Sequence, residues 1–297
     1  MKELFEKINQ NHKIRFYKKQ KQGFRDFIIG EFNRIGYTDI SVDKSKNVII
    51  GNPEKAKTVY SAHYDTPFLF PFLTPFAKIF GHLPAQFISV IAILGAFFVI
   101  NLIIPYEIPF GGLILGLLLI PLFFIPNPNN ANDNTSGILA VYNIAKKLKK
   151  ESKEQDAAFI LFNNEEWGLI GSQVYAKEYK KAHKEKPKFL LINLDCVGVG
   201  RDIILTYRNA KLRGLIEASA KSFEDRVVVK KVKYNLPSDD LSFKNSCGLT
   251  AASPSVLGPL YIPRIHMPND NTIDFDIIKS ICDKAVIISD TNNITNS

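Results

Sequence analysis

The sequence predicts an α/β fold, one sheet covered by helices on both faces, with a membrane hairpin inserted into it. Three observations carry that expectation. Short apolar runs alternate with amphipathic stretches of helical period along most of the chain. Residues able to bind metal stand where those runs stop, and ligand sites in open sheets lie at the carboxyl ends of strands. Between Lys78 and Asp133, finally, the only formally charged residue is Glu107. The 297 residues show neither an internal repeat nor a dividing linker, so 1–297 is expected to be a single domain with the hairpin inserted.

In chain order, residues 22–36 place Phe24, Phe27, Ile28, Phe32 and Ile35 at helical spacing, and Gly36 follows as a C-terminal stop. Apolar runs at 47–50, 58–62, 157–162, 189–194, 202–207 and 250–257 read as strands. Stretches 136–150, 173–184, 211–222 and 275–288 read as helices between them. Residues 86–104 and 108–126 are two apolar stretches of 19 residues each, joined by Pro105, Tyr106 and Glu107. As helix, each spans about 28 Å, close to the hydrocarbon thickness of a bilayer. A joint that short returns the chain to the side it came from, which makes 86–126 a transmembrane hairpin in contact with lipid.

Composition narrows the remaining choices. Lys plus Arg number 38 against 29 Asp plus Glu, a net +9, densest at 13–21 and 146–153. No nucleic-acid motif accompanies that charge, and it reads as a solvated basic face. The N-terminus lacks the apolar core of a signal peptide, and Cys196, Cys247 and Cys282 form no CxxC pair. The hairpin's turn carries no Lys or Arg, so the positive-inside rule places the hairpin in the cell membrane and the polar domain in the cytoplasm.

The candidate site is built from strand ends. Run 58–62 leads into His63 and Asp65, run 157–162 into Glu165 and Glu166, and run 189–194 into Asp195. Asp133 stands at the start of a predicted helix, and His266 follows the last run. Taken singly, each is an ordinary surface or capping residue. Jointly they suit two zinc ions, which need imidazole and carboxylate ligands, one bridging carboxylate and about two further groups each. His63, Asp133, Glu166, Asp195 and His266 supply that set. Glu165, beside a ligand, is then placed as a general base, and Asp65 as a partner for the second ring nitrogen of a histidine.

The stretches SAHYDTP, NANDNTSG, NNEEWGLIGS, NLDCVG, Ser238 to Phe243 and RIHMPND, in this order, resemble metallopeptidase family 28. That family includes bacterial leucyl aminopeptidases, glutamate carboxypeptidases and glutaminyl cyclases, and the likeness runs from about residue 45 to 285, the hairpin aside. The resemblance implies a three-layer α/β/α sandwich around a mixed, largely parallel sheet. It also implies that Asp133 bridges the ions, with His63 and Asp195 on one and Glu166 and His266 on the other. Glu165 is then the base, Asp65 orients His63, and the substrate is a peptide cut at its first bond. Carboxypeptidase, dipeptidase and one-zinc glutaminyl cyclase activities remain open on the same scaffold, as does a non-catalytic membrane protein. Cobalt or manganese would fit the same ligands. Two departures stand out: 69 residues separate His63 from Asp133, and Asp240 occupies a position where the family commonly has His.

Overall fold

The structure is a computed structural model that describes residues 1–69, 73–81, 124–184, 187–223, 227–231 and 237–295, with five positions between 88 and 99. Its helices are α1 (Lys2–Asn11), α2 (Lys18–Arg34), α3 (Leu73–Phe80), α4 (Ser136–Lys150), α5 (Ile170–His183), α6 (Arg213–Lys221) and α7 (Phe275–Thr295). The strands are β1 (Ile40–Val42), β2 (Val48–Ile50), β3 (Thr58–His63), β4 (Ala157–Phe162), β5 (Leu190–Leu194), β6 (Asp202–Tyr207), β7 (Val227–Lys231), β8 (Ser246–Pro254) and β9 (Leu260–Tyr261). They form one mixed sheet in the order β1-β2-β4-β3-β5-β8-β6-β7, with β9 on β8.

Its centre is parallel. Strands β4, β3, β5 and β8 all run the same way, whereas β2 joins β4 and β6 joins β8 antiparallel. The carboxyl ends of β3, β4 and β5 therefore meet at one edge. Alternation assigns the two faces. Tyr60, Ala62, Phe159, Leu161, Leu190 and Ile192 pack into one core with α1, α2, α4, α6 and α7. Val59, Ala158, Ile160, Phe162 and Leu191 face the other way, toward Tyr175, Ala176 and Tyr179 of α5. Strands buried on both faces read as continuous apolar runs, which is why the sequence displays them so clearly.

Deviations from expectation fall where hydropathy is weak. Strand β8 starts at Ser246, because Ser246, Cys247 and Gly248 pair with β5 on one side or β6 on the other despite their low apolar content. It ends at Pro254, since Val256 and Leu257 form an exposed turn closed by Gly258 at φ +103°. Helix α2 begins at Lys18, ahead of its apolar stripe, because the Gln20 side chain accepts from the backbone N–H groups of Phe16 and Tyr17. Gly36 stands at φ +94° after its end, as a C-terminal stop requires. The sequence pattern predicts none of α1, β1, α3, β7 and β9. The basic stretch 13–21 is not all solvated, since Arg15 is wholly buried and Lys21 is 9% exposed.

The expected spans 86–104 and 108–126 lie outside the described residues, save for Ile88, Ile91, Gly95, Phe98 and Val99, which are helical, and the last residues of the second span. Of these, Ile91, Phe98 and Val99 are exposed. Among the described residues no helix is long and apolar enough to cross a membrane. The two ends of the insertion are joined: Phe68 bridges Pro126, the Leu69 N–H donates to the Ile125 carbonyl at 2.9 Å, and the Asn127 N–H donates to Pro67 at 2.9 Å. Helix α3, just beyond the first of these ends, packs Phe76 and Ala77 against Cys196, Ile262 and Ile265.

Candidate metal centre

All seven residues singled out by the sequence are positioned by the parallel edge and the loops above it. His63 ends β3, and Asp195 directly follows β5. Glu165 and Glu166 follow β4, with Asp65 beneath them. The backbone N–H of Glu165 donates to Asp65 Oδ1 at 3.1 Å, and that of Glu166 to Oδ2 at 3.3 Å. Asp133 is not in a regular helix. It lies in a turn before α4, with φ −111° and ψ +95°, so its carboxylate points to the cluster instead of capping the helix.

Asp133 stands between two imidazoles. Its Oδ1 is 3.3 Å from His63 Nε2, and its Oδ2 is 3.3 Å from His266 Nε2. Around the first lies Asp195, whose Oδ1 is 3.6 Å from His63 Nε2. Around the second lies Glu166, whose Oε2 is 3.3 Å from His266 Nε2. Ligand atoms of His63, Asp133 and Asp195 fall within 4.8 Å of one another, as do those of Asp133, Glu166 and His266, and of His63, Glu165 and Glu166. The second ring nitrogen of His63 is nearer the Asp65 carbonyl, at 3.2 Å, than its carboxylate, at 3.6 Å. Asp65 thus touches His63 chiefly through its backbone, while its carboxylate fixes the Glu165–Glu166 turn.

The electrostatics are those of a crowded anionic cage. Burial raises Glu165, His63 opposes that, and Glu166 and Asp195 push it further up, well above the usual carboxylate range. Burial, then Asp133, lifts Glu166 to about 7. Burial would lower His266, yet Glu166 and Asp133 outweigh it and bring the ring to about 10. His63 is likewise raised, by Glu165 first, against the effect of burial. Asp133 is held low, because His266 and His63 overcome its burial.

The residues fit divalent cations. Two imidazole nitrogens and several carboxylates converge, the donor chemistry zinc prefers, and Asp133 presents one oxygen to each half. Glu166 Oε1 is buried without a hydrogen-bond partner among the described residues, an acceptor left for a cation.

Several supporting residues escaped the sequence reading. Asp270 accepts from the N–H groups of Asn132, at 2.9 Å, and Asp133, at 3.0 Å, so it props the backbone of the central ligand. Its place four residues after His266, in the same polar stretch, was the available signal. Asn134 accepts from Cys196 N–H at 3.1 Å and donates to Leu194 at 3.1 Å, stitching the Asp133 turn to the Asp195 strand end. Gly137 permits that approach, since a Cβ there would stand 2.3 Å from the Leu194 carbonyl. Arg15 donates to the Tyr64 carbonyl and to Thr135 Oγ1, joining the turn after β3 to the turn bearing Asp133. Nothing in a basic N-terminal stretch marks it for that place.

The cluster opens into a cavity of about 260 Å³, lined also by Asn193, Thr206, Asp240 and Ile262. Its fold is shared with solved structures. The LapA aminopeptidase of Legionella pneumophila superposes with a TM-score of 0.63 at 16% identity, over 98% of this chain and 68% of that one. A Bacteroides thetaiotaomicron glutaminyl cyclase bound to N-acetylhistamine gives 0.59 at 18%, over 96% and 94%. A Zn-dependent exopeptidase from Parabacteroides distasonis gives 0.56 at 15%, over 93% and 92%. No curated protein sequence matches significantly. The sequence model of peptidase family M28 matches residues 122–281, a stretch that runs through Asp133, Glu165, Glu166, Asp195 and His266 and covers more than half of the chain. On that match, the chain belongs to peptidase family M28.

Proposed function

We propose that this M28 protein is a membrane-anchored di-zinc aminopeptidase that releases the first residue of peptides. The observation that carries the reading is Asp133, one carboxylate facing two separate His-plus-carboxylate groups. Two cation positions suit a co-catalytic exopeptidase better than a one-zinc cyclase. His63 and Asp195 would hold one ion, Glu166 and His266 the other, with Asp133 shared. When bound, zinc supplies Lewis-acid polarisation of the scissile carbonyl and lowers the pKa of water.

The chain's own residues do the rest. Glu165 is buried beside the cluster, and its raised pKa suits it to take a proton from the attacking water and return it to the leaving nitrogen. Asp65 holds the Glu165 backbone in place for both transfers. Ile262 and Ile265 give the cavity an apolar wall on which a substrate can rest.

The membrane part of the reading rests on the sequence of 86–126 and on the paired ends of the insertion. Phe68, at one of those ends, lies 5.9 Å ring to ring from His266, so the hairpin leaves from the rim of the cluster. Asp133 lies seven residues beyond Pro126, which keeps the cleft within about 25 Å of the bilayer surface. The phenylalanine-rich stretch 67–80, with Lys78, suits that interface. The catalytic domain, 1–297 with the hairpin inserted, then faces the cytoplasm and receives peptides released at the membrane.

A panel of aminoacyl anilides, given to detergent-solubilised protein with and without chelator, tests the activity. Chelator-sensitive release restored by zinc is the expected outcome. Full zinc occupancy with no release from any member would overturn the aminopeptidase reading in favour of a blocked or carboxy-terminal substrate.

A further inference from the structure

We propose that Asp240 makes the cleft selective for peptides whose first residue carries a basic side chain, lysine or arginine. The inference rests on the aminopeptidase reading and names the substrate class of that same site.

Sheet register lays out the floor of the cavity. Asn193 on β5 pairs with Gly248 on β8, and Gly248 pairs with Thr206 on β6, so the three form one rung. All three line the cavity that holds the carboxylate cluster. Gly248 has no side chain at the middle of the rung, and the Thr206 hydroxyl closes over that position. A Cβ there would stand 2.8 Å from Thr206 Oγ1 and 3.6 Å from the Asp240 carboxyl carbon. Asp240, in the 3-10 turn Asp239–Ser242, therefore sits behind the one rung position without a side chain.

The other polar groups of the floor already have partners. The Asn193 amide accepts from Ser61 Oγ at 2.8 Å and donates to Ser238 Oγ at 2.8 Å, and Ser238 donates to Asp195 Oδ2 at 2.6 Å. Thr206 Oγ1 donates to the Gly248 carbonyl at 3.3 Å. Asp240 differs. It is 4% exposed, lines the cavity, and its Oδ2 has no hydrogen-bond partner among the described residues. Arg208, whose charge reaches it, is itself exposed to solvent.

Burial and Asp195 raise Asp240 to about 7, so its ionised form is costly here, and a substrate that brings a cation to it stabilises that form. A third metal ion is the weaker occupant, because none of the clusters of three metal-binding groups among the described residues includes Asp240. A protonated amine or guanidinium on a flexible stem fits instead, its methylenes resting on the apolar wall of Ile262 and Ile265. A leucine side chain would leave the carboxylate buried and unpaired, the situation in which a polar site rejects an apolar competitor most strongly.

The test compares kcat/KM for lysyl, arginyl, leucyl and norleucyl anilides on the zinc-loaded full chain, for wild type, Asp240→Asn and Asp240→His. Zinc content and circular dichroism confirm that each variant is folded. Wild type is expected to favour the basic anilides by about tenfold or more, and Asp240→Asn to reduce that ratio by a similar factor. A wild-type preference for leucyl anilide, or an unchanged ratio in Asp240→Asn, overturns the proposal. If no anilide is cleaved, the aminopeptidase reading fails by itself, and calorimetric titration with argininamide and norleucinamide still decides the role of Asp240. Tighter argininamide binding that Asp240→Asn abolishes supports it, and equal binding of the two amides overturns it.

Discussion

The two halves of the metal centre share Asp133 but are built differently. The His63–Asp195 half stands on the sheet. His63 ends β3, its ring is braced at the Asp65 carbonyl, and Asp195 accepts a 2.6 Å bond from Ser238 while its N–H donates to Leu249 on β8. The Glu166–His266 half stands on loops. Glu166 Oε1 has no hydrogen-bond partner among the described residues, and the ring of His266, whose side chain is 20% exposed, lies beside Phe68 at the foot of the insertion. Both ligands of the first half are braced by hydrogen bonds with neighbouring residues, whereas the second leaves one buried carboxylate oxygen, Glu166 Oε1, open for a cation. One half is thus anchored to the sheet, and the other is carried by loops beside the foot of the insertion.

The largest effect should come from removing what the halves share. Asp133→Ala is expected to bring zinc, measured by elemental analysis after gel filtration, below one ion per chain and to abolish turnover. Retention of a full ion would show that the halves bind independently of the bridge. Next comes Glu165→Gln, expected to keep its zinc while kcat falls by about 10²–10⁴-fold, the usual range for loss of a general base. An active Glu165→Gln enzyme would remove the base assignment.

The supports should separate the halves more finely. Asp270→Asn weakens the prop under Asp133 and is expected to lower zinc affinity at both positions by about 10–100-fold, as loss of a ligand's partner commonly does. Ser238→Ala removes the bond to Asp195, the one metal-binding residue among its side-chain partners, and should weaken one position of the two in a competition titration with a chromophoric chelator. Equal effects of the two substitutions would erase the distinction drawn here.

The smallest effect is on stability against pH. Glu166, Asp239, Asp240 and Asp270 are raised to about 7 by burial, above ordinary values near 4. Folded protein therefore holds protons that the unfolded chain has released. That stabilisation is complete below about pH 4 and is lost as pH rises through about 7. Metal-free protein should accordingly show a Tm lower by several degrees at pH 8 than at pH 5, before acid effects elsewhere intervene. Zinc should reverse the loss at pH 8. A Tm of metal-free protein that rises over this interval would contradict the sign.

How much of this was readable in the sequence depends on what each residue contacts. The central strands declared themselves because both faces of a parallel sheet are buried. Residues at or just past their carboxyl ends, His63, Glu165, Glu166 and Asp195, could be placed from type and position alone. Strand order could not, since β3 lies between β4 and β5 through long-range pairing that no local pattern records. Arg15 could not either: its acceptors are the backbone carbonyl of Tyr64 and the hydroxyl of Thr135, 120 residues away for the latter. The open acceptor of Asp240 is likewise a property of packing, although its unusual identity was visible in the sequence.

The most direct test of the central claim is mass spectrometry of one peptide in two forms, with a free and with an acetylated N-terminus, incubated with the zinc-loaded chain. Stepwise loss of residues from the free amino terminus, arrested by chelator, and none from the acetylated form, is the expected result. Cleavage of the acetylated peptide, release from the carboxyl end, or loss of water in place of an amino acid would contradict it.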